Sequence, residues 1–134
     1  MDPAGAQPAR MALLPRRDPA PGLRVYEAGT PRARALGLAF LDRIPTGSAL
    51  HIRPCRAVHT FGMRFALDLI WLGPGDEVVA VDPNVPCRRM RVCASARSVL
   101  ETGAGDADRF LLALGRPPGK RRELAADPSP GAWR

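Results

Sequence analysis

Residues 53–72, RPCRAVHTFGMRFALDLIWL, hold most of the side chains in this chain that could do chemistry. Cys55 and His59 are the elements of a thiolate–imidazolium pair, and the neighbouring Arg53 and Arg56 would lower the thiol pKa. With Cys87 and Cys93 they also make a set of four soft ligands of the kind zinc accepts. Arg56, His59, Arg64 and Asp68 form a third group, a polar pocket with a carboxylate at its floor and cations at its rim.

Each of these has a plainer alternative. Residues four apart on an extended strand are separated by about 13 Å. Cys55 and His59 therefore meet only if the chain bends at Ala57, and no third group is evident to orient His59. The five residues between Cys87 and Cys93 exceed the two to four typical of structural zinc pairs, so no metal and no cofactor are expected. Cys55 stays as the candidate reactive thiol. Asp68 lies within a hydrophobic run, where an acid is costly unless it is partnered. Backbone N–H groups of a loop, or Arg56, Arg64 or Arg97, would satisfy it structurally.

The elements that must position these residues are short. FALDLIWL (65–72) puts Phe65, Leu67, Leu69 and Trp71 on one face and Ala66, Asp68, Ile70 and Leu72 on the other. Apolar residues on both faces predict a central strand covered on both sides. GPGD (73–76) is a turn, EVVAVD (77–82) returns as the second strand of a hairpin, and Pro83 and Pro86 are expected to end it. Further strands are predicted at 23–28, 48–53, 89–94 and 98–102. A short helix should start at Thr30, a good N-cap followed by Pro31, and close at Gly37. A second helix is predicted within 103–115, with Gly105 or Asp106 as its cap and Phe110, Leu111 and Leu114 as its buried stripe. No helix recurs regularly between strands, which argues against a doubly wound parallel sheet. The expected fold is α+β and mostly β: a curled antiparallel sheet or half-barrel of about six short strands with two short helices.

The 134 residues suit one domain, placed at 23–116 between a disordered extension (1–22) and a mostly disordered basic tail (117–134). The net charge of +7 invites a nucleic-acid reading. Two features oppose it. Nineteen of the twenty basic residues are Arg, which with abundant Ala, Pro and Gly suggests a GC-rich coding sequence. Residues 23–114 carry only +3 of the excess, and aromatic residues for base stacking are missing from the Arg88, Arg89 and Arg91 stretch. No apolar run approaches the ~20 residues of a membrane span, and no signal peptide is evident. Three cysteines, an odd number, argue against a disulfide framework and for a cytoplasmic chain with free thiols.

In order, YEAGTPRARALGLAFLDR, RPCRAVHTFGMRFALDLIWL, DEVVAV and ARSVLETGAG resemble the family known as Domain of Unknown Function 192. The matching positions are Thr30, Arg34, Gly37, Leu38, His59, Met63, Leu67, Asp68, Val99, Leu100, Glu101 and Gly105. The resemblance implies a small, single-domain, mostly β fold and no established reaction. The expected function is a non-catalytic binding or accessory module with a polar pocket at Arg56, His59, Arg64 and Asp68, serving an unknown small ligand or protein partner. The alternatives are an enzyme or metal protein using Cys55 and His59, and a basic nucleic-acid-associated protein.

Overall fold

The computed structural model describes residues 8–30, 33–34 and 37–115. Its elements are α1 (Ala9–Ala12), β1 (Arg16–Arg17), β2 (Arg24–Ala28), β3 (Ser48–Ile52), β4 (Ala57–His59), β5 (Leu67–Leu72), β6 (Val78–Val85), β7 (Met90–Val92), β8 (Ser98–Gly103) and α2 (Ala107–Ala113). Six strands form one sheet in the order β1-β2-β3-β8-β5-β6, and β4 pairs with β7 in a separate ribbon. The protein is thus α+β and mostly β, with a sheet that ends at β1 and β6 and does not close into a barrel. The sheet is mixed: β2 and β3 run parallel, and the other pairs run antiparallel. Residues 29–47 join the parallel pair; of the short helix expected after Thr30, residues 31–32 and 35–36 lie outside the described residues. Thr30 Oγ1 accepts the Ala33 N–H at 3.1 Å, and Gly37 lies at φ +50°.

β5 lies between β8 and β6, and all six of its residues are buried. Its alternation divides the core in two. Leu67, Leu69 and Trp71 pack in one apolar cluster with Tyr26, Leu38, Leu50 and Val99. Ile70 and Leu72 pack in the other with Val25, Val81, Leu100 and Phe110 of α2. The strand is central because neither face could be left in water: burying each large side chain contributes about 1.5–3 kcal/mol.

Asp68 is the polar residue on this strand, and backbone groups satisfy it. Its Oδ1 accepts the Asn84 N–H at 2.8 Å, and its Oδ2 accepts the Gly105 N–H at 2.9 Å and the Ala107 N–H at 3.1 Å. The carboxylate therefore caps the N-terminus of α2 from a distant strand. Asp106, at the N-cap position, makes no side-chain cap and instead accepts the Gly47 N–H at 2.7 Å.

Asp68 also explains why β6 continues past Pro83, where the sequence predicted its end. The β5–β6 register shifts between Leu67 and Leu69, leaving Pro83 and Asn84 in a bulge opposite Asp68. Asn84 takes φ +51° there and turns its N–H to the carboxylate. A proline is tolerated because β6 is an edge strand.

The expectation of a disordered extension over residues 1–22 is corrected for its described part. Met11 of α1 is 1% exposed within the first core cluster. Arg10 donates to the carbonyls of Gly37 and Ala39 at 2.9 and 2.8 Å, and β1 pairs with β2. Such short elements show no periodicity, and tertiary contacts alone hold them. Residues 1–7 and the tail from 116 on lie outside the described residues.

Replacing Asp68 with Ala leaves three N–H groups without their charged acceptor. The expected cost is about 3 kcal/mol, read as a fall of more than about 10 °C in the melting temperature. An unchanged Tm would refute the role given to this carboxylate.

Candidate functional site

The pocket residues expected from sequence do not come together. Residues facing each other across β5 and β8 share a face, and Asp68 pairs with Thr102 while Leu69 pairs with Glu101. Asp68 thus lies on the α2 side, where it lines a cavity of about 370 Å³ with Val81, Asn84, Gly105 and Asp108. His59 lies on the opposite side and lines a different cavity. Arg64 is exposed and paired with Asp42, and Arg56 donates its Nε–H to the Ala96 carbonyl at 3.0 Å.

The cavity at His59 is small, about 60 Å³, and chemically richer. Its walls come from the turn after β2 (Arg34, Gly37, Leu38, Ala39), from Ile52 and Cys55, from β4 with Met63, and from Glu101 of β8. Arg34, Gly37, Leu38, His59, Met63 and Glu101 are six of the positions that carry the family resemblance, and they are widely separated along the chain.

Glu101 dominates this cavity. It is 4% exposed, and the strands beside it face it with Leu50 and Leu69. Burial pushes its carboxyl up to about 7, and the N–H of Leu38 opposes that shift only in part. Among the described residues its Oε2 has no hydrogen-bond partner, and neither does the buried Nε of Arg34. A Cβ on Gly37 would lie 3.2 Å from that same Oε2, so the close approach and the positive φ both call for glycine there.

Cys55 and His59 do share this cavity, as the bend near Ala57 allows. The thiol is nonetheless unlike an activated nucleophile. Burial raises its pKa, countered only in part by a backbone hydrogen bond at Ala57, and its S–H donates to the Ala57 carbonyl at 3.2 Å, which favours the neutral thiol. Cys93 is buried beside Ser95 at 3.6 Å, and Cys87 packs against the core. No group of three or more His, Cys, Asp or Glu side chains among the described residues is placed to hold a metal ion.

A second constellation has catalytic geometry without access. His51 Nδ1 lies 2.7 Å from Glu27 Oε2, and its Nε2 lies 2.9 Å from Ser98 Oγ. A carboxylate only accepts, so Nδ1 carries the proton and Nε2 accepts from the serine hydroxyl. Both His51 and Ser98 are 1% exposed, and no substrate could reach the hydroxyl. Burial lowers the His51 pKa, against the raising effect of Glu27, so the imidazole is a neutral tie between β2, β3 and β8.

The sequence reading missed the role of Glu101. In VLET it alternates with residues of a buried strand and resembles an ordinary edge acid. The only signal was its place in the family pattern.

The two buried groups give opposite pH dependences. Glu101 binds its proton more tightly folded than unfolded, so stability falls as pH rises from about 4.5 to about 7. The lost stability is on the order of 3 kcal/mol. His51 binds its proton less tightly folded, so stability falls as pH drops below about 6.5. Glu101→Gln should abolish the first dependence and leave the second. Urea unfolding from pH 5 to pH 8 checks this, and a Gln variant with unchanged pH dependence would contradict it.

Comparison with known proteins adds a family and a fold. The model of the DUF192 family, described as an uncharacterized group, matches residues 15–117. No curated protein matches. A crystal structure of a protein of unknown function from Novosphingobium aromaticivorans aligns with a TM-score of 0.58 and 21% identity, over 86% of this chain and 96% of the other. Another, from Sinorhizobium meliloti and provisionally described as a transcription regulator, aligns with a TM-score of 0.61 and 18% identity, over 72% and 78%. At these identities the likeness shows the fold alone. No helix among the described residues is long and apolar enough to cross a membrane.

Proposed function

This chain belongs to the DUF192 family, and from that premise we propose that it is a non-catalytic binding or accessory module whose ligand seats between Arg34 and Glu101. One observation carries the proposal. Among the described residues, a buried oxygen of Glu101 and the buried Nε–H of Arg34 lack partners, and the two residues line the same cavity. Unpaired buried polar atoms each cost about 1–3 kcal/mol, and a ligand that pairs with both recovers that cost on binding. The pocket first expected at Arg56, His59, Arg64 and Asp68 keeps His59 in this proposal. Asp68 becomes a structural group whose acceptor capacity goes to α2 and β6.

Titration of ¹⁵N-labelled protein with a set of small polar fragments tests the site. Amide shifts should concentrate at residues 37–39, 55–59 and 101–102 and vanish in Glu101→Leu. Shifts centred on Asn84 and Gly105 instead would move the site to the Asp68 cavity and sink this proposal.

The second reading, a Cys/His enzyme, rests on Cys55 and His59 sharing a cavity. The raised thiol pKa disfavours it. At pH 7 Cys55 should react with iodoacetamide no faster than glutathione does, as followed by mass spectrometry. A rate ten times higher would favour the enzyme. A nucleic-acid partner is disfavoured by the state of the arginines. Arg53 is paired with Asp76 at 2.7 Å, Arg64 with Asp42, and the buried Arg91 donates to its own neighbour's carbonyl at Met90. The free thiols of Cys55, Cys87 and Cys93 favour a reducing compartment such as the cytoplasm.

A further inference from the structure

We propose that the ligand of this cavity is a carboxylate on a short apolar chain, its oxygens accepting from Glu101 Oε2–H and Arg34 Nε–H. The inference rests on the binding site proposed above and adds the chemical class of its ligand.

The donor count decides the class. The Leu38 N–H already bonds the Glu101 carboxyl, and the partnerless oxygen is Oε2. The proton of the neutral acid therefore belongs on Oε2, the oxygen without a donor, and makes this cavity-lining carboxyl a donor. Arg34 Nε–H is a second donor, and arginine has no acceptor to offer. Two donors and one positive charge call for an anionic acceptor. A carboxylate balances the Arg34 charge while Glu101 stays neutral. A cationic ligand would instead have to enter the cavity beside the like-charged guanidinium of Arg34.

Size and surroundings narrow the class. The cavity is small, about 60 Å³, a size that suits a group such as one carboxylate. Leu38, Ile52, Val58 and Met63 supply apolar walls. Two exposed aromatic rings stand beside the lining residues. Phe40, which follows Ala39, is 63% exposed and held at φ +65° by its N–H bond to the Gly62 carbonyl at 2.9 Å. Phe61 is 55% exposed, with its ring centroid 6.1 Å from that of His59. A phenylalanine in the left-handed region is strained, and its exposed ring offers an apolar surface to the part of the ligand that leaves the cavity.

The titratable and charged groups facing Glu101 are Arg34 from the turn after β2, Cys55 before β4, and His59 of β4. The flanking strands β3 and β5 face it with Leu50 and Leu69. Glu101→Gln separates the Glu101 proton from those of Cys55 and His59, because the amide keeps a donor and cannot titrate.

The test measures binding of acetate, acetamide and methylammonium by ¹H–¹⁵N NMR at pH 6 and pH 8.5. Acetate should bind best. With the carboxyl of Glu101 titrating at about 7, its apparent affinity should drop about thirty-fold between the two pH values as the protonated fraction falls. Glu101→Gln should bind acetate equally at both, and Glu101→Leu should not bind it. An acetylated dipeptide with a free C-terminus, set against its C-terminal amide, separates two sources of the carboxylate. Tighter binding of the peptide acid than of acetate assigns a chain terminus, and equal binding assigns a free small acid. Acetamide or methylammonium binding as tightly as acetate would overturn the carboxylate while leaving a binding module. If no probe perturbs the cavity, the site itself fails.

Discussion

Burial of β5 on both faces is the constraint on which the rest of this fold depends. A strand with apolar residues at every position but one can lie only between other strands, and β8 and β6 flank it. The exception, Asp68, would be intolerable there as a lone charge. Three backbone N–H groups make it tolerable, and in doing so they tie the start of α2 and the bulge of β6 to the middle of the sheet. One carboxylate thereby organises two distant segments, which links its sequence position to the packing of the whole second core cluster.

The same strand parity separates structure from function. Odd-numbered β5 residues face the cluster that contains the Glu101 cavity, and even-numbered ones face α2. Asp68 and Glu101 are two buried acids of opposite fate on opposite faces. Asp68 has an N–H donor on each oxygen and acts as a cap. Glu101 has the Leu38 N–H and one bare oxygen, so burial keeps its proton on near neutral pH and leaves it reactive toward a partner. The hydrogen-bond inventory around each carboxyl, more than its depth, decides which is structural and which is available.

The cavity also shows how a small domain builds a site without a dedicated motif. The turn after β2 reaches over β8 only because Gly37 allows both the left-handed backbone and the approach to Glu101. Arg10 of α1 clamps the carbonyls of Gly37 and Ala39 from outside. The N-terminal segment thus braces the roof of the site, a link from a sequence without periodicity to the geometry of the binding groups.

From the amino-acid order alone, the alternation of 65–72 and the GPGD turn determined the central hairpin, and Thr30 determined the cap on the Ala33 N–H. Those signals are local: side-chain period, turn residues and caps act within a few positions of where they are written. The ordered motifs also determined the family. Only the tertiary structure decided that Asp68 and His59 lie on opposite sides of the sheet, that Met11 belongs to the core, and that Arg34, Cys55, His59 and Glu101 share one cavity. Such meetings depend on strand order and on contacts between residues tens of positions apart. No local propensity encodes them, because the free energy that selects them comes from burying surfaces that are complementary only after the chain has folded.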